Sequence, residues 1–226
     1  MFKTELHCHS AGISFCASVT VDEIVEKYVR AGYTSILLTN HFESGTMRRH
    51  GCEDYGAFLE KFVEEWKKLR DAAAGRLNVL FGAELRFDGN INDYLLYGVT
   101  PEFLLAHPDV FSMSPETFSH IAREAGILFI HAHPFRNGMK VINPQYLDGI
   151  EVFNGHIRHD SRNDVASMWA KKYGLIKTSG SDMHIHVDQP DAGIMTESPI
   201  TSVEQLASVI RSGKYTLITS ELPVIN

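Results

Sequence analysis

The sequence predicts an α/β fold built on a mainly parallel sheet with helices over both faces. Three observations carry this expectation. Strand-length apolar runs alternate with amphipathic helical segments along the whole chain. The strand segments are mostly continuous apolar runs rather than alternating ones, as strands covered on both faces require. The unit recurs roughly six or seven times, with no linker, low-complexity segment or internal repeat beyond the βα alternation itself. An open doubly wound sheet and a closed barrel both satisfy this pattern.

The first strand enters at Met1, Phe2 and Leu6 and ends in Glu5-Leu6-His7-Cys8-His9-Ser10. After a loop from Ala11 to Ser18, Thr20 and Glu23 form a capping box. Ile24, Val25, Tyr28 and Val29 then fall at helical spacing, and Gly32 ends that helix. Ser35 to Leu38 is a buried strand leading into Thr39-Asn40-His41, followed by a loop with Arg48, Arg49 and His50. A long helix from about Tyr55 to Ala74 has Phe58, Leu59, Phe62, Trp66 and Leu69 on its inner face. Val79 to Gly82 is the third strand, ending in Ala83-Glu84, and Asp93 to Gly98 is an extra strand. Pro115 at a first helical position opens a helix to Gly126. Ile127 to Ile130 is a strand ending in His131-Ala132-His133-Pro134, and Gly149 to Asn154 is the next. A helix from about Asp160 to Tyr173 precedes the strand Leu175 to Thr178, which ends in Ser179-Gly180-Ser181-Asp182-Met183-His184. The last unit has a capping box from Ser202 to Gln205, a helix to Gly213 and a strand from Tyr215 to Thr219.

The 226 residues suit one domain spanning 1–226. With 44% hydrophobic and 22% charged residues, the core needs no disulfide help. Cys8, Cys16 and Cys52 have no paired spacing, which fits a reducing compartment; with no signal-peptide pattern, the expected location is cytoplasmic. No apolar run approaches the roughly 20 residues of a membrane helix. The net charge of -7 disfavours a general nucleic-acid coat. It leaves an acidic substrate open, because bound divalent cations reverse the potential locally.

His7 and His9 sit at i and i+2 of a strand and point to one face, as two ligands of one ion require. His41, Glu84, His131, His133, Glu151, Asp182 and His184 fall at or just past the ends of other strands. In a parallel α/β architecture those ends share the face that carries the active site of barrels. Mixed imidazole and carboxylate ligands suit Zn, Mn or Fe(II). Their number exceeds what one tetrahedral ion needs and points to two or three ions bridged by a carboxylate, for which Glu84 is the candidate. His50, His107, His120, His156, His159 and His186 lie outside this pattern and are read as surface or loop residues. No phosphate loop, dinucleotide fingerprint, nucleophile elbow or C-x-x-C pair is present.

The order His-x-His-Ser, Thr-Asn-His, Gly-Ala-Glu, His-Pro and Gly-Ser-Asp-x-His, from residue 5 to about 185, resembles the PHP (polymerase and histidinol phosphatase) family. The resemblance implies a distorted (β/α)7 TIM-like barrel with two or three divalent metal ions that hydrolyses a phosphate mono- or diester. It implies that His7, His9, Glu84 and Asp182 hold one ion. Glu84 and His133 hold a second, to which Asp93, although a departure from the pattern, still offers an oxygen, and His41 and His184 hold a third. Three positions depart from the family's pattern: Asn40 stands where Asp is usual, the loop Gly12 to Cys16 lacks a His or Asp ligand, and Asp93 stands where His is frequent. These departures bear chiefly on the third ion.

The implied reaction is attack of a metal-activated hydroxide on phosphorus. Arg136 is the candidate for a bidentate grip on phosphate, ahead of Arg158 and Arg162. His131 or His184 is the candidate to protonate the leaving oxygen. The expected partner is a phosphorylated small molecule or nucleotide. The rival readings are a hydrolase of TatD or amidohydrolase type, which lacks its bridging lysine here, and a degraded PHP module without catalysis.

Overall fold

Most helices start where a side chain accepts the first free amides. The computed structural model describes residues 1–221; residues 222–226, the end of the expected single unit, lie outside the described residues. β1 (Phe2–Glu5) is followed by α1 (Val21–Arg30), where Thr20 and Glu23 close the expected reciprocal capping box. β2 (Tyr33–Leu38), β3 (His41–Phe42) and the short α2 (Ser44–Arg49) lead to α3 (Tyr55–Ala73), capped by Asp54. β4 (Asn78–Phe81), β5 (Ala83–Leu85) and β6 (Tyr94–Tyr97) come next, then α4 (Pro101–Ala106) and α5 (Pro115–Glu124), capped by Thr100 and Ser114. β7 (Leu128–His131), β8 (Gly149–Asn154), α6 (Asn163–Tyr173) and β9 (Ile176–Gly180) follow. β10 (Gly193–Thr196), α7 (Val203–Ser212) and β11 (Thr216–Ile218) complete the order. At α7 only half of the expected box forms, because Gln205 Oε1 bonds the amide of Thr201 instead of Ser202.

The strands form two sheets, β11-β10-β1-β2-β4 and β3-β5-β6-β7-β8-β9. The chain passes between them at Gly82, where β4 runs on into β5, and at residues 39–40, where β2 runs on into β3. Edge strand β9 of the second sheet meets β1, the central strand of the first, just past their ends: Asp182 N donates to His7 O (2.9 Å), His9 N donates to Met183 O (3.0 Å), and Cys8 bridges Met183 in parallel. The result is a mixed α/β, TIM-barrel-like fold.

The sheet departs from the parallel expectation at β6, which is antiparallel to both β5 and β7. The segment from Arg86 to Asp93 is too short for a parallel crossover, which takes a dozen or more residues. The reversal matters for the site, because it places Asp93, just before β6, beside the ends of the other strands. β10, α2 and α4 were not expected; each is a short segment of four to six residues with too few turns or pairs to show a period.

Three apolar clusters hold the layers. Leu6, Leu37, Leu80, Leu95, Leu128 and Ile130 line the inside of the strands. A second, rich in phenylalanine, lies between the sheet and helices α3 and α5. A third fills the space under α1 and the end of α3.

Candidate metal centre

Glu84 is buried at the centre of the three-residue β5, and each of its carboxylate oxygens meets two histidines. Oε1 lies 3.1 Å from His133 Nε2 and 3.3 Å from His7 Nε2. Oε2 lies 2.8 Å from His41 Nδ1 and 3.4 Å from His9 Nε2. Asp182 Oδ1 approaches His7 Nε2, His9 Nε2 and His184 Nδ1 at 3.2, 3.3 and 3.4 Å. His7 Nε2 and His9 Nε2 are 3.1 Å apart. Five overlapping triads place their ligand atoms within 4.8 Å of one another. They are His7/His9/Asp182, His7/Glu84/His133, His9/His41/His184, His41/Glu84/Asp93 and His156/Asp182/His184.

The backbone is bent to achieve this. His133 and Asp182 adopt φ of 31° and 50°, a left-handed conformation rare outside glycine that tends to gather at functional sites. At Gly180 a Cβ would fall 2.3 Å from His7 Cβ and 2.7 Å from Glu151 Oε1, so only glycine lets β9 pass this close.

Outer residues orient the inner ones. Glu151 Oε1 is 2.9 Å from His7 Nδ1. A carboxylate only accepts, so Nδ1 carries the proton and Nε2 turns toward the cluster. Glu151 Oε2 accepts from the His133 amide and from Asn154. Below the cluster, Glu5 accepts from the amides of Leu6, His7 and Ser181 and from the hydroxyls of Tyr28 and Ser181. Burial pushes its carboxyl up to about 7 against these donors.

Burial opposes charge throughout the cluster, yet neighbouring charges overturn it at several groups. Asp182, Glu151 and Glu84 hold His7 well above the usual imidazole range, and Glu84 with Cys16 does so for His41. His7 and His41 hold the Glu84 carboxyl well below the usual range, as His7 and Arg136 do for Asp182. Burial, His184 and His41 drive His9 well below its ordinary value. Within the cluster the buried His133 Nδ1 has no hydrogen-bond partner among the described residues. Convergent imidazoles around two anionic carboxylates fit divalent cations, with Glu84 placed to bridge.

A cavity of about 230 Å³ opens over the cluster, lined among others by Arg86, Asp93, Arg136, Arg158 and His159. Larger recesses elsewhere hold none of these ligands. The structure therefore brings together His7, His9, His41, Glu84, Asp93, His133, Asp182 and His184. Asp93 comes with a partner the sequence did not suggest: Arg86 Nε and Nη2 grip its two oxygens at 2.7 Å each.

His131 does not join them. It packs its ring on Tyr94, on the same strand face as Phe129, and burial lowers its pKa to about 3. Alternation along β7 turns Ile130 and Ala132 inward and His131 outward. Only the left-handed turn at His133 brings that residue back to the site. The expected proton-donor role of His131 is corrected on this ground. Arg136 does reach the site, but its Nη2 is bound to Asp182 Oδ2 (2.7 Å) and Asn154 Oδ1 (2.8 Å). Its first role in the structure is to hold Asp182 in place. Arg162 bonds Phe135 O and Asn137 instead of facing the cavity. His184 donates through Nδ1 to Asp182 O (2.8 Å), leaving Nε2 toward His9, His41 and Cys16.

His156 and His159, set aside as loop histidines, line the cavity. The signal was their place just after the apolar strand β8, within the reach of its end. Cys16 Sγ lies 3.2 Å from His41 Nε2. Burial alone would raise the thiol, but hydrogen bonds to His184 and His41 bring it down to about 6. Asn40 lies outside the ligand set and bonds Ser10 and Ser14 instead.

The family model of the PHP domain matches residues 5–217. No curated protein matches the sequence. Among solved structures, PsfC from Pseudomonas syringae is similar, with a TM-score of 0.69 and 16% identity over 97% of this chain and 91% of that one. A two-domain protein from Bacteroides vulgatus, containing a predicted PHP-like metal-dependent phosphoesterase, gives 0.67 and 15% identity over 96% of this chain. This chain spans 64% of the length of that protein. A lesion-specific endonuclease from Pyrococcus furiosus gives 0.63 and 16% identity, over 96% of this chain and 57% of that one. At these identities the likeness shows the fold.

Proposed function

The chain belongs to the PHP domain family, and from that premise we propose that it is a metal-dependent phosphoesterase with two or three divalent ions at the Glu84 cluster. The observation that carries the reading is the position of Glu84, with His7 and His133 at one carboxylate oxygen and His9 and His41 at the other. Glu84 would bridge. His7, His9 and Asp182 would complete one ion, His133 and Asp93 a second, and His41 and His184 a third. Zn, Mn and Fe(II) suit this donor set. Ions held there would lower the pKa of water to supply a nucleophile near neutral pH and would neutralise phosphoryl charge.

The chain's own residues do the rest. Glu151 orients His7, and Arg136 with Asn154 fixes Asp182 Oδ2 so that Oδ1 faces the histidines. Arg136 Nη1, which has no partner among the described residues, and the rim residues Arg158 and His159 supply cationic or donor contacts for phosphoryl oxygens. With Nδ1 bonded to Asp182 O, His184 Nε2 is the remaining candidate to protonate the leaving oxygen when two ions are bound; as a ligand of a third ion it would carry no proton. The cavity admits the phosphoryl end of a substrate while the remainder of a small molecule or nucleotide stays outside, which suits a mono- or diester. The lysine that an amidohydrolase would use as a bridge has no counterpart among the cavity-lining residues.

The test is elemental analysis of protein purified without chelators or a metal-binding tag, followed by a phosphoester panel. Two or three equivalents of Zn, Mn or Fe per chain with turnover support the reading. Metal content near zero that does not rise on reconstitution sinks it and leaves the non-catalytic module as the better account. His133→Ala should lower both metal content and turnover; unchanged values for both would remove His133 from the ligand set.

A further inference from the structure

A chain of buried hydrogen bonds runs from helix α3 to His9. Glu65, on the otherwise apolar inner face of α3 and only 6% exposed, accepts from Ser10 Oγ at 2.8 Å. Ser10 Oγ in turn accepts from Asn40 Nδ2 at 2.9 Å. Asn40 Oδ1 accepts from the Ser10 amide at 2.8 Å and from Ser14 Oγ at 2.9 Å. Ser14 Oγ lies 3.1 Å from His9 Nδ1 and accepts from the His41 amide at the same distance. Ser10, Ser14, Asn40 and His9 are all at most 1% exposed, so water does not substitute for a missing partner.

The chemistry of each group gives this chain one direction. Glu65 is a carboxylate and only accepts, so the single Ser10 hydroxyl proton points to it. Ser10 Oγ is then left as an acceptor and requires an N–H from position 40, which turns the Asn40 amide nitrogen toward Ser10 Oγ and its oxygen toward Ser14. The Ser14 proton is therefore committed to Asn40 Oδ1. What remains at Ser14 is an acceptor, so the contact with His9 requires the proton on His9 Nδ1. Nε2 is then the bare nitrogen, and it is the one facing His7, Glu84 and Asp182.

We propose that Glu65 is a positioning residue of the metal centre: through Ser10, Asn40 and Ser14 it fixes the tautomer of His9 so that Nε2 presents its lone pair to the ligand cluster. Gly12 belongs to the same device, because a Cβ there would fall 2.1 Å from the Glu65 carboxyl carbon, so the loop is shaped to admit the acid. Asn40 is tied to Glu65 by the same logic. The substitution Asn40→Asp alone would leave two carboxylates competing for one Ser10 proton. Combining it with Glu65→Gln restores every bond, because the carboxamide introduced on α3 donates to Ser10 Oγ and the Ser10 proton turns to the carboxylate introduced after β2.

The proposal rests on the metal-centre reading for its consequence but not for its test. In metal-free protein at about pH 8, nitrogen NMR of labelled histidine should show His9 protonated at Nδ1. In zinc titrations against a competing chelator, Glu65→Ala and Asn40→Asp should each weaken the metal about 10- to 100-fold, the usual cost of losing an outer partner of a ligand. Glu65→Gln alone should cost little, and Asn40→Asp/Glu65→Gln should recover most of the Asn40→Asp loss. An Nε2–H tautomer in the wild type overturns the proposal. So does a Glu65→Ala variant that binds zinc as tightly as wild type, or a double variant as weak as Asn40→Asp. A wild type that binds no zinc overturns the metal reading alone, since the tautomer is read without metal. If Glu65→Ala fails to fold, the wild-type tautomer and the Asn40→Asp pair still decide.

Discussion

Two buried regions of this molecule face each other across the sheet and are buried for opposite reasons. Phe42, Phe58, Phe62 and Phe111 pack ring on ring between the sheet and α3, with centroids 4.9 to 6.3 Å apart. Burial there is the source of the stability. His7, His9, Glu84 and Asp182 are equally buried, but each charge among them opposes burial and is tolerated only because another charge or donor lies within 3.4 Å. The first region is complete in itself. The second is arranged around positive charge, supplied by protons on His7 and His41 in the metal-free protein and by cations in the proposed enzyme. Equal burial therefore says nothing about role; what distinguishes the two is whether the groups satisfy one another.

The comparison breaks most sharply at Glu84. Glu84→Gln should abolish stoichiometric metal binding and reduce phosphoester turnover to background, a larger loss than the roughly 10- to 100-fold expected of outer partners. In the presence of chelator its unfolding free energy should move less than that of Phe58→Ala, because His7 and His41 can lose their protons when the anion goes. Phe58→Ala should do the reverse. It removes a ring that is fully buried and costs about 3–5 kcal/mol in denaturant unfolding, while the folded protein keeps its metal content. If Phe58→Ala strips the metal, or Glu84→Gln unfolds the chelated protein, the two regions are not separable in this way.

A finer cut falls within the polar region. Glu151 does not line the cavity over the cluster, yet it sets the tautomer of His7 and holds the His133 amide. Glu151→Gln should weaken zinc about 10- to 100-fold in chelator competition with little change in melting temperature. An unchanged affinity would make Glu151 a structural acid only.

How much of this was legible in the sequence follows the same division. The helices with side-chain caps and apolar stripes, such as α1 at Thr20 and α5 at Ser114, were visible because their signals are local. The clustering of the strand-end histidines with Glu84 was visible because a parallel sheet delivers strand ends to one face. The errors arose where the chain leaves regular periodicity. His131 and His133 look equivalent at i and i+2, but the left-handed turn at His133 separates them. Arg86 and Glu65 act through partners 7 and 55 residues away, Asp93 and Ser10, and no spacing rule connects such positions. His156 follows a strand end by two residues and was lost for lack of a second ligand beside it in sequence. Asn40, read as a departure affecting an ion, is a scaffold residue, which only the direction of its hydrogen bonds reveals.

The smallest expected effect is the dependence of the comparison on pH. His7 and His41 have folded-state pKa values raised above the ordinary 6.5, so their contribution to metal-free stability is fully present below about 6.5 and is lost as pH rises through the higher folded values. Glu84 and Asp182 are lowered below 4.5 and 3.8, so their contribution is present above those values and is lost as pH falls through the folded ones. The metal-free cluster is therefore most stabilising between about pH 4.5 and 6.5 and less so above. A cation must displace the protons on His7 and His41, so its added stabilisation grows with pH. The phenylalanine cluster has no titrating group, and the deficit of Phe58→Ala should be the same at every pH. Melting curves of wild type and Phe58→Ala from about pH 5 to 8, with and without zinc, separate the two. The gap between the proteins should stay flat while the zinc-induced shift widens. A zinc shift that stays constant across that range would mean that His7 and His41 carry no protons for the ion to displace, and the account of the cluster as a charge-seeking site would fail at its electrostatic root.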